Sequence, residues 1–104
     1  MVKSINFNAE VSTFIDTKLG KNKFKFHHSE TNSKKQNSNP NCFVYENKKF
    51  GETITIKLYS NGDIKSISYD NGWYSIGGKI GDMDILNIAL TEIINTSKEH
   101  RNSK

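Results

Sequence analysis

Two Asn-Gly dipeptides, Asn61-Gly62 and Asn71-Gly72, constrain this chain more than any other feature. Asn-Gly is the preferred pair for a two-residue type I′ hairpin turn, because both central positions need positive φ. Each pair lies between runs rich in Ile, Thr, Ser and Tyr. The spacing therefore predicts a three-stranded meander over residues 53–60, 63–70 and 73–77. Pairing Ser60 with Asp63 sets Ile56 opposite Ile67 and Ile54 opposite Tyr69. Pairing Asp70 with Trp73 sets Tyr69 opposite Tyr74 and Ile67 opposite Ile76. Both turns then place Ile54, Ile56, Leu58, Ile67, Tyr69, Tyr74 and Ile76 on one face. A slip of one residue would scatter this set. The other face carries Thr53, Thr55, Lys57, Tyr59, Ser66, Ser68, Trp73 and Ser75, the pattern of a sheet with one buried and one wet side.

Upstream, Val2, Ile5 and Phe7 suggest a short first strand. Asn8 is placed to cap a helix over residues 9–19, where Val11, Phe14, Ile15, Lys18 and Leu19 follow helical spacing. Gly20 stands where a helix end favours a left-handed residue. Alternation over residues 23–27 predicts a strand, with Phe24 and Phe26 sharing a face. Residues 29–41 contain no hydrophobic side chain before Cys42 and read as a long mobile loop or the tip of a long hairpin. Residues 42–48 read as the next strand, with Phe43 and Tyr45 on one face and Val44 on the other. Gly77, Gly78 and Gly81 break the chain into a flexible connection. Asp82 or Asp84 then caps a helix with an apolar stripe of Leu86, Ala89, Leu90, Ile93 and Ile94, which needs the apolar face of the meander as its partner. Residues 98–104 form a polar tail expected to fray.

The expected architecture is α+β: an antiparallel β-meander of about four to five strands with an N-terminal and a C-terminal helix packed on the sheet. One domain over residues 1–98 accounts for it, with a mobile polar loop at 29–41 and a polar tail at 99–104. This order resembles the layout of double-stranded-RNA-binding domains. The last helix begins Gly81-Asp82-Met83-Asp84 rather than with that family's Lys-Lys-x-Ala-Lys, so the family is not assigned.

Composition narrows the function classes. Cys42 is the only cysteine of 104 residues, so no internal disulfide forms, and the first residues lack the apolar core of a signal peptide. No run approaches membrane-spanning length. A cytoplasmic protein with no membrane association is expected. Fourteen of the fifteen basic residues are lysine, Asn occurs thirteen times and Ile twelve, a bias toward AT-rich codons. A low-GC bacterium or one of its phages is the implied source.

Chemistry-bearing constellations are few. His27 and His28 are adjacent, and neighbours on a regular strand point to opposite faces, which argues against a shared metal. Asp63, Asp70, Asp82 and Asp84 fit turn and capping positions. Gly77-Gly78-Lys79-Ile80-Gly81 lacks the Gly-Lys-Ser/Thr ending of a phosphate-binding loop. No serine sits in a nucleophile elbow, and Cys42 has no neighbour that would stabilise a thiolate. No enzyme activity, cofactor or metal is expected.

Binding is the remaining class. Tyr59 and Trp73 beside Lys57, with the Lys34-Lys35 loop, form a candidate contact surface for a protein or ribonucleoprotein complex. The AT-rich composition and small size suit a phage or mobile-element accessory protein that inhibits a host defence system, as anti-CRISPR proteins do. Residues 1–49 carry nine lysines against four carboxylates, a net +5. Lys18, Lys21, Lys23, Lys25, Lys34 and Lys35 could therefore track nucleic-acid phosphates instead. An antitoxin or immunity protein shares the inhibitor logic.

Overall fold

The structure is a computed structural model that describes residues 5–30 and 41–103. Its elements are α1 (Ala9–Gly20), β1 (Lys25–Glu30), β2 (Cys42–Asn47), β3 (Glu52–Leu58), β4 (Ile64–Asp70), β5 (Ser75–Lys79) and α2 (Met83–Asn102). The strands form one sheet in chain order, and every neighbouring pair is antiparallel. The α+β meander with a helix at each end is thus the fold. Before α1, a single bridge between Asn6 and Asp63 stands where a first strand was expected. Residues 2–4 of that expected strand, and residues 31–40 of the expected polar loop with Lys34 and Lys35, lie outside the described residues.

Both helices begin as their sequences imply. The Asn8 side chain accepts the Val11 N–H at 3.1 Å, and Asp82 accepts that of Ile85 at 2.8 Å. Each satisfies an amide that has no partner inside the helix. The end of α1 differs from expectation. Gly20 is its last helical residue, and the left-handed position falls instead on Lys23, at φ 72. There the chain reverses so that the Phe24 N–H reaches the Leu19 carbonyl at 3.0 Å. Phe24 is thereby buried just before β1, whereas Phe26 stays half exposed against Phe43 and Tyr45.

The two Asn-Gly pairs do turn the chain, each by a different geometry from the one expected. At the first, the Gly62 N–H closes on the Tyr59 carbonyl at 3.0 Å. Gly62 has φ 91, while Asn61 is not left-handed. A tight turn followed by a left-handed glycine is the three-residue form of hairpin. The expected register survives it: Ile56 faces Ile67 and Ile54 faces Tyr69. At the second, Asp70 pairs with Ser75 rather than Trp73, and Tyr69 with Ile76 rather than Tyr74. Asn71 is the cause. Its buried side chain accepts the N–H groups of Trp73 and Tyr74 at 3.0 and 2.8 Å, and its amide donates to the Tyr69 hydroxyl at 3.3 Å. These bonds hold four residues in the turn. The register moves by two residues, which preserves the faces. Ile76 keeps its place against the core, but Tyr74 leaves the sheet and is exposed.

Both helices pack on the same side. Ile15 and Leu19 of α1 join Leu86, Leu90 and Ile93 of α2 in one cluster over Tyr45, Ile54, Ile56, Ile67 and Tyr69. The stripe of α2 closes the layer because a sheet face this apolar must be covered. α2 also continues through residues expected to fray. Its last turn is held by Arg101, whose guanidinium lies 5.1 Å from the Phe24 ring centre and 5.2 Å from that of Phe50 and donates to the Asn22 carbonyl at 2.7 Å. No described helix is long and apolar enough to cross a membrane.

Candidate binding surface

With both helices on one side, no described element covers the opposite face of the sheet. Strand pairing sets its side chains in rows. One row runs Lys25, Glu46, Thr53, Asp70 and Ser75; the next runs His28, Val44, Thr55, Ser68 and Gly77; the third runs Glu30, Cys42, Lys57, Ser66 and Lys79. Short hydroxyl side chains fill its centre, with Ser68 exposed between half-buried Thr55 and Ser66. Charged groups lie toward the ends. Such a face can both donate and accept hydrogen bonds, and is cheap to order because Ser and Thr lose little side-chain freedom.

The contact residues expected from sequence are not gathered in one patch. Tyr59 lies at the β3–β4 turn and Trp73 in the β4–β5 turn, at opposite ends of the seven-residue β4. At about 3.4 Å per residue that separation is roughly 20 Å. Tyr59 is half exposed with the Lys65 ammonium 5.8 Å from its ring centre. Trp73 is 88% exposed, and with Asn71, Tyr74 and His100 it borders a shallow depression near the end of α2. Its turn position, set by Asn71, takes it off the sheet face where alternation had placed it. Lys57 is on the open face at the Tyr59 end.

The lysines also divide. Lys18 turns to α2, where its ammonium donates to Asn87. Lys21 caps α1 from an exposed position. Lys23 and Lys25 instead border a surface depression with Lys48, Lys49, Phe26 and Glu46. Lys48 and Lys49 escaped sequence reasoning because they belong to the β2–β3 turn, and only the pairing of β1 with β2 brings that turn beside Lys23 and Lys25. Their doublet is visible in the sequence, but its neighbours are not.

His27 and His28 depart from expectation. A bulge between Phe26 and His28 breaks the alternation, and the two rings meet edge to face, with centres 4.5 Å apart and their Nδ1 atoms in contact. An extra residue in one strand re-aims the side chains beside it. His28 Nε2 lies 2.7 Å from Glu30, and His27 Nε2 lies 3.6 Å from Glu46. The His28 hydrogen bond, aided by its charge, holds the Glu30 carboxyl below its ordinary range. Cys42 is buried beside it, with Sγ 3.7 Å from Glu30 Oε2. Burial, then the Glu30 charge, pushes the thiol up, so the thiolate needed for nucleophilic attack is disfavoured. Among the described residues, no group of three or more His, Cys, Asp and Glu is arranged to hold a metal ion.

The remaining motifs have structural uses. Asp63 receives the Asn61 amide at 3.2 Å, and Asp70 accepts the Gly72 N–H at 2.6 Å. Gly77, Gly78 and Lys79 are part of β5 rather than a flexible connection. Gly77 permits a close approach: a Cβ there would lie 2.9 Å from the Ile67 carbonyl oxygen. No family model, curated protein or solved structure matches this chain.

Proposed function

We propose that this protein is a non-enzymatic binding module that occupies the surface of a macromolecular partner with the uncovered face of its sheet and the aromatic residue at one end. The observation that carries this reading is the placement of both helices on one side. It leaves a five-stranded, hydroxyl-rich face open, with Trp73, 88% exposed, in the turn at one end of the sheet beside α2. An indole held out by a rigid turn is costly to solvate and well suited to anchor a contact. Within this class, the AT-rich composition and small size support a phage or mobile-element protein that inhibits a host defence complex, in the manner of an anti-CRISPR protein. An antitoxin or immunity protein would use the same surface logic.

The test is capture of partners from host lysate with and without nuclease, using wild type, Trp73→Ala and Ser68→Arg. A partner that survives nuclease and is lost with both variants supports the reading. Equal capture by all three rejects it. A host carrying an active defence system then tests the finer proposal, since the wild type but neither variant should protect an invading phage.

A second reading is favoured by one observation, the grouping of Lys23, Lys25, Lys48 and Lys49 around the half-exposed Phe26. Cations beside an aromatic ring suit single-stranded nucleic acid. Binding would then weaken steeply with salt, and Lys48→Gln with Lys49→Gln would flatten that dependence. Salt-insensitive binding would reject it.

A further inference from the structure

The two edges of the sheet are unlike. β1 carries a bulge, the charged Lys25 and Glu30, and two histidines, features that discourage another strand from pairing. β5 has an even register, no proline and no acidic residue, and its one charged side chain, Lys79, stands at its last position. The Asn71 N–H bonds the Tyr74 carbonyl and the Ile80 N–H bonds the Lys65 carbonyl. Antiparallel ladders alternate, so Ile76 and Gly78 direct their backbone groups toward β4, while Ser75, Gly77 and Lys79 direct theirs outward. Beside this edge, between β5 and α2, lies a mainly apolar groove of about 460 Å³ lined by Ile76, Ile80, Ile85, Ile88 and Ala89, with Lys79 and Glu92 also in its walls. Ile85 and Ile88 are 41% and 64% exposed on its helical wall.

We propose that this edge joins two copies of the chain, β5 against β5 and antiparallel, about a twofold axis at Gly77. The outward-directed residues are symmetric about Gly77. It therefore pairs with its own counterpart, and Ser75 pairs with Lys79 of the second copy. That register sets Ile76 of each copy across from Gly78 of the other, on the groove side, in the closely spaced type of antiparallel pair. A Cβ built at Gly78 meets no atom within 4 Å. Gly78 lines the groove and leaves open space there, which the opposing Ile76 occupies. On the polar face, Asp70 pairs with Ser75, so Lys79 of the second copy lies one strand beyond Ser75 and its long side chain reaches toward the Asp70 carboxylate. A specific interface covers about 800 Å² on each partner. The exposed Ile85 and Ile88 add the apolar area that a bare strand edge lacks. The product is one sheet continuous through both copies, whether or not the open face binds a partner.

Sedimentation of the whole chain from micromolar to millimolar concentration tests this. Wild type should pass from monomer to dimer, and Gly78→Lys, whose side chain enters open space in the monomer but blocks Ile76 of the second copy, should stay monomeric. A wild type that is monomeric throughout, or a Gly78→Lys variant that dimerises as well as wild type, overturns the proposal. Amide exchange of the wild type gives a readout that does not depend on the variant folding. The Ser75, Gly77 and Lys79 amides should slow at least severalfold at the higher concentration, and unchanged exchange at all three overturns the pairing.

Discussion

Arg101 sets both its Nε and an Nη atom on one oxygen of the Glu52 carboxylate, at 2.8 and 2.7 Å, while the Tyr69 hydroxyl donates to the other oxygen at 2.6 Å. Glu52 is fully buried and Arg101 nearly so. The pair links the last turn of α2 to the start of β3, and the only arginine of the chain is spent inside the fold. Removing Arg101 leaves a buried carboxylate without its cation. Arg101→Ala should therefore destabilise the protein by about 3–5 kcal/mol, read as a lower urea midpoint. Joint replacement, Glu52→Gln with Arg101→Met, should cost less than the single change.

The same network predicts alkaline sensitivity. Burial, then the hydrogen bond to Glu52, pushes the Tyr69 hydroxyl up to about 12. Burial and Asp16, which accepts the Tyr45 hydroxyl at 2.5 Å, push Tyr45 up as well. Between the ordinary tyrosine value near 10 and the raised folded value, the unfolded chain holds fewer protons than the folded one. Stability is thus fully present below about pH 10 and falls as pH rises toward 12. Urea midpoints measured across this range should decline, and Tyr69→Phe should make the decline shallower.

Asn71 holds the β4–β5 turn from a buried position. Asn71→Ala removes the acceptor of two backbone N–H groups and should cost about 1–3 kcal/mol. Trp73, two residues on, touches little. Trp73→Ala should change stability by no more than about 0.5 kcal/mol, so any loss of partner capture by that variant reports on contact rather than folding. Thermal unfolding of the two variants side by side checks both expectations.

Lys23 holds a left-handed conformation that costs a non-glycine residue about 1–2 kcal/mol. Lys23→Gly relieves that strain at the expense of a more flexible unfolded chain, about 0.4–1 kcal/mol. The net should be a stabilisation on the order of 0.5 kcal/mol. If the lysine cluster binds nucleic acid, the same variant should bind it more weakly despite being more stable.

Cys42 should resist alkylation. Its thiol is buried and its ionisation disfavoured by burial and Glu30. Reaction with a maleimide or iodoacetamide near neutral pH should be at least tenfold slower in the folded chain than in denaturant. Equal rates would place the thiol in solvent.

By itself, the sequence determined the order of two helices about an antiparallel meander, the cap at Asn8, a second cap at Asp82 or Asp84, and the apolar face of the meander. These depend on interactions within a few residues, or on an alternation that leaves one register able to bury Ile54, Ile56, Ile67 and Tyr69 together. Tertiary structure decided the rest, because those outcomes depend on groups far apart in the chain. The side chosen by α1 follows from the core it shares with α2, and that choice opened the hydroxyl-rich face. The two-residue shift at Asn71 arose from its side-chain bonds to Trp73, Tyr74 and Tyr69, and took Trp73 off the sheet face. The bulge that turns His27 and His28 together is invisible to simple alternation. The tail is helical through Asn102 because Arg101 finds Glu52, 49 residues earlier, and a buried carboxylate so placed outweighs the fraying that a polar helix end would otherwise show.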